Sequence, residues 1–284
     1  MTTLDLVADS QATLSTTANA LKSKVDRARN IVLLLSISGA LAAAIAAAAD
    51  IVDYRPYLTT AGAVFLAIAA AITGRYLSGD SGRRHIRMRS ASEALKREAF
   101  LYAAGARDYA DSATRDAKLT EALNAVNAEI ADLSLFEEKA TSPGSCPRQA
   151  LDRDAYLAAR VQKQIAYYSD NADRYAKHSG YLHLAEWLLS LLAAVLTAAS
   201  GVLGRGNFDL AAITAVLTTI GGALLAHGQA RKYDEQIVSY RAAAKALRQV
   251  EATTPQSADA AALADRAESI ISEENGSWRA MFLQ

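Results

Sequence analysis

Four stretches of this chain carry no charge and are long enough to cross a bilayer as helices. Ile31–Ala49 runs for nineteen residues broken only by Ser36 and Ser38, and Tyr57–Gly74 adds eighteen. Trp187–Gly204 and Leu210–Ala226 repeat the pattern with eighteen and seventeen. A hydrocarbon core asks for roughly 20 apolar residues in a helix, about 17–25, so each stretch qualifies. The stretches come in pairs separated by short linkers, Asp50–Pro56 and Arg205–Asp209, the spacing of two helical hairpins. The competing reading is an alanine-rich soluble bundle whose core helices are buried, because alanine is only weakly apolar.

Elsewhere the apolar positions recur with helical period. Leu14, Ala18, Leu21, Val25 and Ala28 form a stripe ahead of the first stretch. Met88, Ala91, Leu95, Ala99 and Tyr102 form another, and Leu119, Leu123, Val126, Ile130 and Leu133 make the clearest heptad seam. Thr141–Pro147, with two prolines and Gly144, favours a turn over a helix. Leu157, Val161, Ile165, Tyr168, Ala172 and Tyr175 resume the period and lead into the third stretch. Ile237, Tyr240, Ala244 and Leu247 follow the fourth, and Ala260–Glu274 reads as a short final helix. Strand-like alternation is nearly absent, so the fold class expected is all-α. It combines an integral membrane part of four transmembrane helices with a cytoplasmic helical bundle.

Charge sets the orientation expected. Lys22, Lys24, Arg27 and Arg29 precede the first hairpin, and Arg75, Arg83, Arg84, Arg87 and Arg89 follow it. Arg174, Lys177, Arg231 and Lys232 border the second in the same way. By the positive-inside rule both open ends, and both termini, face the cytoplasm of a multi-pass protein in a bacterial inner membrane. A cleavable leader is not expected, because the first apolar stretch begins late and a second follows at once. Lys and Arg equal Asp and Glu at 30 each, so no global charge points to nucleic acid. The lone Cys146 has neither a disulfide partner nor metal-ligand spacing and fits cytoplasmic exposure.

An offset of 152 superposes Ile31 on His183 and Leu58 on Leu210 without a gap. It also brings Arg89-x-Ala91-x-x-Ala94-Leu95-Lys96 onto Arg241-x-Ala243-x-x-Ala246-Leu247-Arg248. The chain therefore reads as a duplicated helix–hairpin–helix unit, residues 1–140 and 149–284 joined by a linker at 141–148, with both copies in parallel orientation. With the Arg-x-Ala-x-x-Ala-Leu helices, the nearby Phe100 and Tyr102, and the Glu273-Glu274-x-x-x-Trp278 ending, the chain resembles the SLATT families of bacterial two-span effector domains and the overlapping family DUF4231. The resemblance implies an oligomeric, membrane-perforating effector of a conflict or cell-suicide system, with no catalytic residues of its own. It leaves open a separate cytoplasmic sensor or a nucleotide signal as trigger. Two other functions stay open: a non-conducting scaffold or partner-binding anchor, and a small-molecule or ion transporter.

Few residues suggest chemistry. Phosphate loops and nucleophile elbows are missing from the sequence, and His85, His178, His183 and His227 lie beside span boundaries. No enzyme activity, cofactor or metal is expected. Glu186, beside Trp187 and Tyr181, is a candidate interfacial acid, readable as a headgroup-level residue or as part of an ion path. Ser190, Ala194, Thr197 and Gly201, with Ser38 at the matching place in the first stretch, form a small face. Thr214, Thr218, Gly221 and Gly222 form a second. Small faces let helices approach in lipid, and mild polarity can also wet a pathway. Arg83, Arg84, Arg87 and Arg89 are candidate contacts for phosphate or headgroups.

Overall fold

The computed structural model describes residues 1–48, 53–77, 79–140, 143–203 and 210–283. The tip Arg205–Asp209, the linker residues Asp50–Val52, and Thr141–Ser142 lie outside the described residues. Helices α1 (Thr3–Ala48), α2 (Arg55–Ile72) and α3 (Gly79–Ala104) make up the first part of the chain. After them come α4 (Arg115–Glu129), α5 (Arg153–Tyr156) and α6 (Lys163–Leu203), then α7 (Leu210–Arg231), α8 (Tyr233–Thr253) and α9 (Ala260–Leu283). Among the described residues the fold is all-helical. Among the described residues four helical runs are long and apolar enough to cross a membrane, one over most or all of each of the four apolar stretches.

Local chemistry places the breaks. Pro56 sits in the first turn of α2, where its missing N–H costs nothing. Asp152 caps α5 by accepting from the Ala155 N–H at 2.8 Å, and Asp259 receives the Ala262 N–H at 2.8 Å at the start of α9. Gly105, at φ +66°, ends α3, and the Ala106 N–H returns to the Leu101 carbonyl at 2.9 Å. The heptad seam is shorter than a single helix. Leu119, Ile130 and Leu133 are buried, but α4 stops at Glu129 and Ala131–Phe136 tightens into a 3-10 turn. The final helix is longer than Ala260–Glu274, because Trp278, four residues on, is buried and keeps the helix packed.

Two compact units arise, and each draws on both halves of the chain. Unit 1 comprises residues 1–23, 79–173 and 235–284; unit 2 comprises 24–78 and 174–234. In unit 1, α3 is the spine: Met88, Leu95, Ala99 and Phe100 are fully buried, as are Leu263, Ala264 and Ala267 of α9. Burying such side chains contributes about 1.5–3 kcal/mol for each large one. Gln11 of α1 donates its side-chain amide to the Ser92 hydroxyl of α3 at 3.1 Å inside the core. A Cβ at Gly144 would stand 3.0 Å from the Ala12 Cβ and 3.3 Å from the Ala8 carbonyl oxygen, so the turn between α4 and α5 lies close against α1 at this glycine. Cys146 in that turn is half-buried, and burial pushes its thiol up to about 12.

In unit 2, α1 and α2 cross at two glycines. A Cβ on Gly62 would lie 3.1 Å from the Gly39 carbonyl oxygen, and one on Gly39 3.2 Å from the Gly62 carbonyl oxygen. Backbones this close gain the dispersion that apolar burial cannot supply between helices in lipid. These were the only glycines in the interior of the first two apolar stretches, a signal that could have marked the crossing.

Candidate functional site

The apolar hairpins of unit 2 expose most of their length. The most apolar window of the α6 run has 6% of its residues buried, and that of the α7 run 0%. Ser38, Ser190, Ala194, Thr197, Gly201, Thr218 and Gly222 are exposed, and Thr214 and Gly221 are half-buried. Beyond the adjoining residues and backbone of their own helix, no atom of the described residues comes within 4 Å of a Cβ placed on Gly201, Gly221 or Gly222. The hydroxyls turn to their own helices: Thr197 donates to the Ala193 carbonyl at 2.8 Å, and Thr214 and Thr218 donate to Leu210 and Thr214 at 3.0 Å. Such back-bonding satisfies a hydroxyl without a neighbouring helix. These small faces are therefore open surfaces of a single chain, whereas Gly39 and Gly62 form its internal crossing.

The charged border of unit 2 holds the hairpins to each other. Arg231, at the end of α7, donates to Asp26 at 2.7 Å and to Asn30 at 3.0 Å, both on α1. The two side chains are only 16% and 26% exposed, so the pair is screened less than a surface bridge. At the α6 border Ser179 donates to Asp234 at 2.7 Å, and His183 lies 3.4 Å from the same carboxylate. Glu186 is half-buried and 3.9 Å from His183, so it belongs to this border cluster. Sequence reasoning took Arg231 for topological charge alone. Its pairing across some two hundred residues has no local signal.

In unit 1 the four arginines Arg83–Arg89 do not converge. Arg87 forks onto both oxygens of Asp132 at 2.7 Å and reaches the Glu129 carbonyl at 2.6 Å. The fork holds the Asp132 carboxyl below its ordinary range. Arg84 lies over the Phe136 ring at 4.6 Å, and Arg89 over Trp278 at 5.2 Å while donating to the Tyr167 hydroxyl at 2.8 Å. Arg83 is exposed.

A deeper charge site was not singled out in the sequence. Arg160 and Glu268, 1% and 0% exposed, form a two-pronged pair at 2.6 and 2.8 Å inside unit 1, with the Tyr156 hydroxyl at 3.1 Å. An acid at 268 lies on the same helical stripe as Ala264, Ala267 and Ile271, which is the sign that could have revealed it. Nearby, Glu274 is buried and accepts from the Tyr168 hydroxyl at 3.0 Å. Burial pushes its carboxyl up to about 7, against the pull of Tyr168 and Arg89.

A pH dependence follows. The folded chain keeps the Glu274 proton up to about pH 7, while the unfolded chain releases it near the ordinary 4.5. Stability from this group is therefore full below about pH 4.5 and declines as pH rises through 7, by roughly 3 kcal/mol in all. Glu274→Gln is expected to flatten that part of the stability–pH curve in denaturant titrations. A curve of unchanged slope would refute the assignment.

Residues 156–278 match the family model described as SMODS and SLOG-associating 2TM effector domain 1, and residues 12–117 match the one described as a protein of unknown function, DUF4231. No curated protein and no solved structure matches the chain. Each matched stretch contains one pair of apolar helices. Between them the two matches take in most of the sequence, and the chain belongs to the SLATT-type family of two-transmembrane effector domains.

Proposed function

We propose that this chain is an oligomeric effector of a bacterial conflict system that opens or disrupts the inner membrane when triggered. The observation that carries the reading is the match to a two-transmembrane effector domain over α6 and α7, whose apolar windows a single chain leaves almost wholly unburied. Self-association in lipid needs small or hydroxyl-bearing surfaces, and Thr214, Thr218, Gly221 and Gly222 offer one where, among the described residues, nothing lies within 4 Å of a Cβ on either glycine. On this reading unit 1 is the cytoplasmic bundle, both termini are cytoplasmic, and the Arg231–Asp26 pair ties the second hairpin to the first. The duplication belongs to the same proposal: the offset of 152 carries the first matched stretch inside the second. The trigger is a separate cytoplasmic sensor or a small signal, and the lipid bilayer is the target.

The test is dye release from vesicles containing the purified protein, together with loss of membrane potential on expression. The wild-type chain is expected to release dye. Gly221→Leu keeps the helix apolar and adds bulk to the open face, so release should drop severalfold while the monomer still folds. A chain that folds, inserts, crosslinks to itself and never conducts would be a scaffold, and the effector reading would fall.

A further inference from the structure

Between α7 and α8 the helix is broken by a single residue. Lys232 takes φ +49°, in the left-handed region, and α8 begins at Tyr233. We propose that this joint is a loaded hinge: contacts on either side of Lys232 hold α7 and α8 apart against a local preference to run on as one helix. Freeing those contacts converts the pair to a single continuous helix, which makes the joint a two-state switch just past the fourth apolar stretch.

Three observations carry it. The first is the conformation. A helix that ends on a left-handed residue usually places glycine there, because a Cβ in that region meets the following carbonyl oxygen. Here the residue is lysine. Its N–H still reaches back to the carbonyls of Gly228 and Gln229, at 3.1 Å each, so it stands at the helix-ending position. Arg107, also left-handed, differs: it follows Gly105, where α3 has already ended.

The second is the sequence through the joint. Gln229, Ala230, Arg231 and Lys232 are all good helix formers, and Glu235 and Gln236 resume the run. Neither glycine nor proline occurs from Gln229 to Thr254. Nothing local asks for a break, so tertiary contacts impose it.

The third is the clamp, which lies wholly within unit 2. Arg231 is tied to Asp26 and Asn30 of α1 at 2.7 and 3.0 Å. Tyr233 packs against Tyr175 and His178 of α6, with ring centres 5.4 and 6.0 Å apart. Asp234 accepts from Ser179 of α6 at 2.7 Å and lies 3.4 Å from His183. The residues on both sides of Lys232 are thus fixed to α1 and α6, and Lys232 absorbs the mismatch. A strained backbone of this kind persists only where its surroundings over-determine it.

Amide hydrogen exchange of the full-length protein in phosphatidylcholine nanodiscs tests the hinge. Asp26→Ala with Asp234→Ala removes an anchor on each side. Ordinary loosening would speed exchange at Tyr233–Glu235, the first turn of α8, whose amides have no carbonyl of their own helix ahead of them. The hinge predicts the reverse: exchange there slows severalfold as these amides pair with the carbonyls of Gln229, Ala230 and Arg231. In that background Lys232→Gly should restore fast exchange and Lys232→Ala should not. The two should differ at least about tenfold, from glycine's ease in the left-handed region and alanine's helix propensity. A second readout needs no release. In the otherwise wild-type chain Lys232→Gly should raise the melting temperature, whereas glycine inside an ordinary helix lowers it. Unchanged or faster exchange in the double variant, or equal behaviour of the glycine and alanine variants, would overturn the proposal.

Discussion

Glu268→Ala is expected to lower the thermal unfolding temperature of unit 1 more than any other single substitution considered. The carboxylate takes two hydrogen bonds from Arg160 and one from Tyr156 in a site that water does not reach. Burial works against the Arg160 charge, but Glu268 outweighs it and holds the guanidinium's pKa above the ordinary range. Removing the acid leaves a cation in the interior without its hydrogen-bonded partner, with the Phe100 ring centre 4.8 Å from the guanidinium carbon and Glu93 acting on it only through space. Breaking a buried pair from one side costs about 3–5 kcal/mol, because the desolvation cost of the surviving charge stays. For a unit of this size that is a fall of roughly 6–20 °C. The double change Arg160→Met with Glu268→Leu should recover most of the loss, since both charges leave together. Circular dichroism melts of the three proteins decide it; a Glu268→Ala melt that matches wild type would show that the pair contributes nothing net.

The second large effect concerns the crossing of α1 and α2. A Cβ on Gly62 falls 3.7 Å from the Ala42 Cβ, the separation that a disulfide spans. Ala42→Cys with Gly62→Cys, on a Cys146→Ser background, should therefore oxidise readily within one chain. Adding Gly39→Leu to that protein forces a side chain against the Gly62 carbonyl and Leu66, both within 3.2 Å of the new Cβ. The leucine terminus of residue 66 can turn aside, but the carbonyl belongs to helix backbone and cannot. Overpacking of this kind costs about 1–3 kcal/mol or parts the helices, and in lipid no hydrophobic drive pulls them back. Disulfide yield should collapse. Undiminished crosslinking in the triple variant would mean that the helices do not meet at these glycines. The matching change Gly221→Leu should leave the yield untouched, because among the described residues nothing lies within 4 Å of a Cβ placed there.

Much of the architecture was legible in residue order because it depends on local physics. Uncharged runs of seventeen to nineteen residues, turns at Pro56 and around Gly144, and apolar stripes at helical spacing each act within a few residues of chain. The stripe through Met88, Leu95 and Ala99 is fully buried, and Val25 and Ala28 are buried where the first stripe places them. The family was legible for the same reason: paired spans and an Arg-x-Ala-x-x-Ala-Leu helix are local patterns.

Length, apolarity and period along the chain thus settled the helices, the four apolar runs among them, and the all-α class. Which polar residues meet was settled only by the tertiary structure. Arg160 and Glu268 are separated by 108 positions, and Asp26 and Arg231 by 205. No periodicity distinguishes a surface charge from a buried, paired one until the helices are packed. The same holds for small residues. Glycines at 39 and 62 and glycines at 221 and 222 look alike in the chain, but backbone reaches only the first pair. A glycine's role is decided by what occupies the space its missing side chain leaves, and that space belongs to another helix.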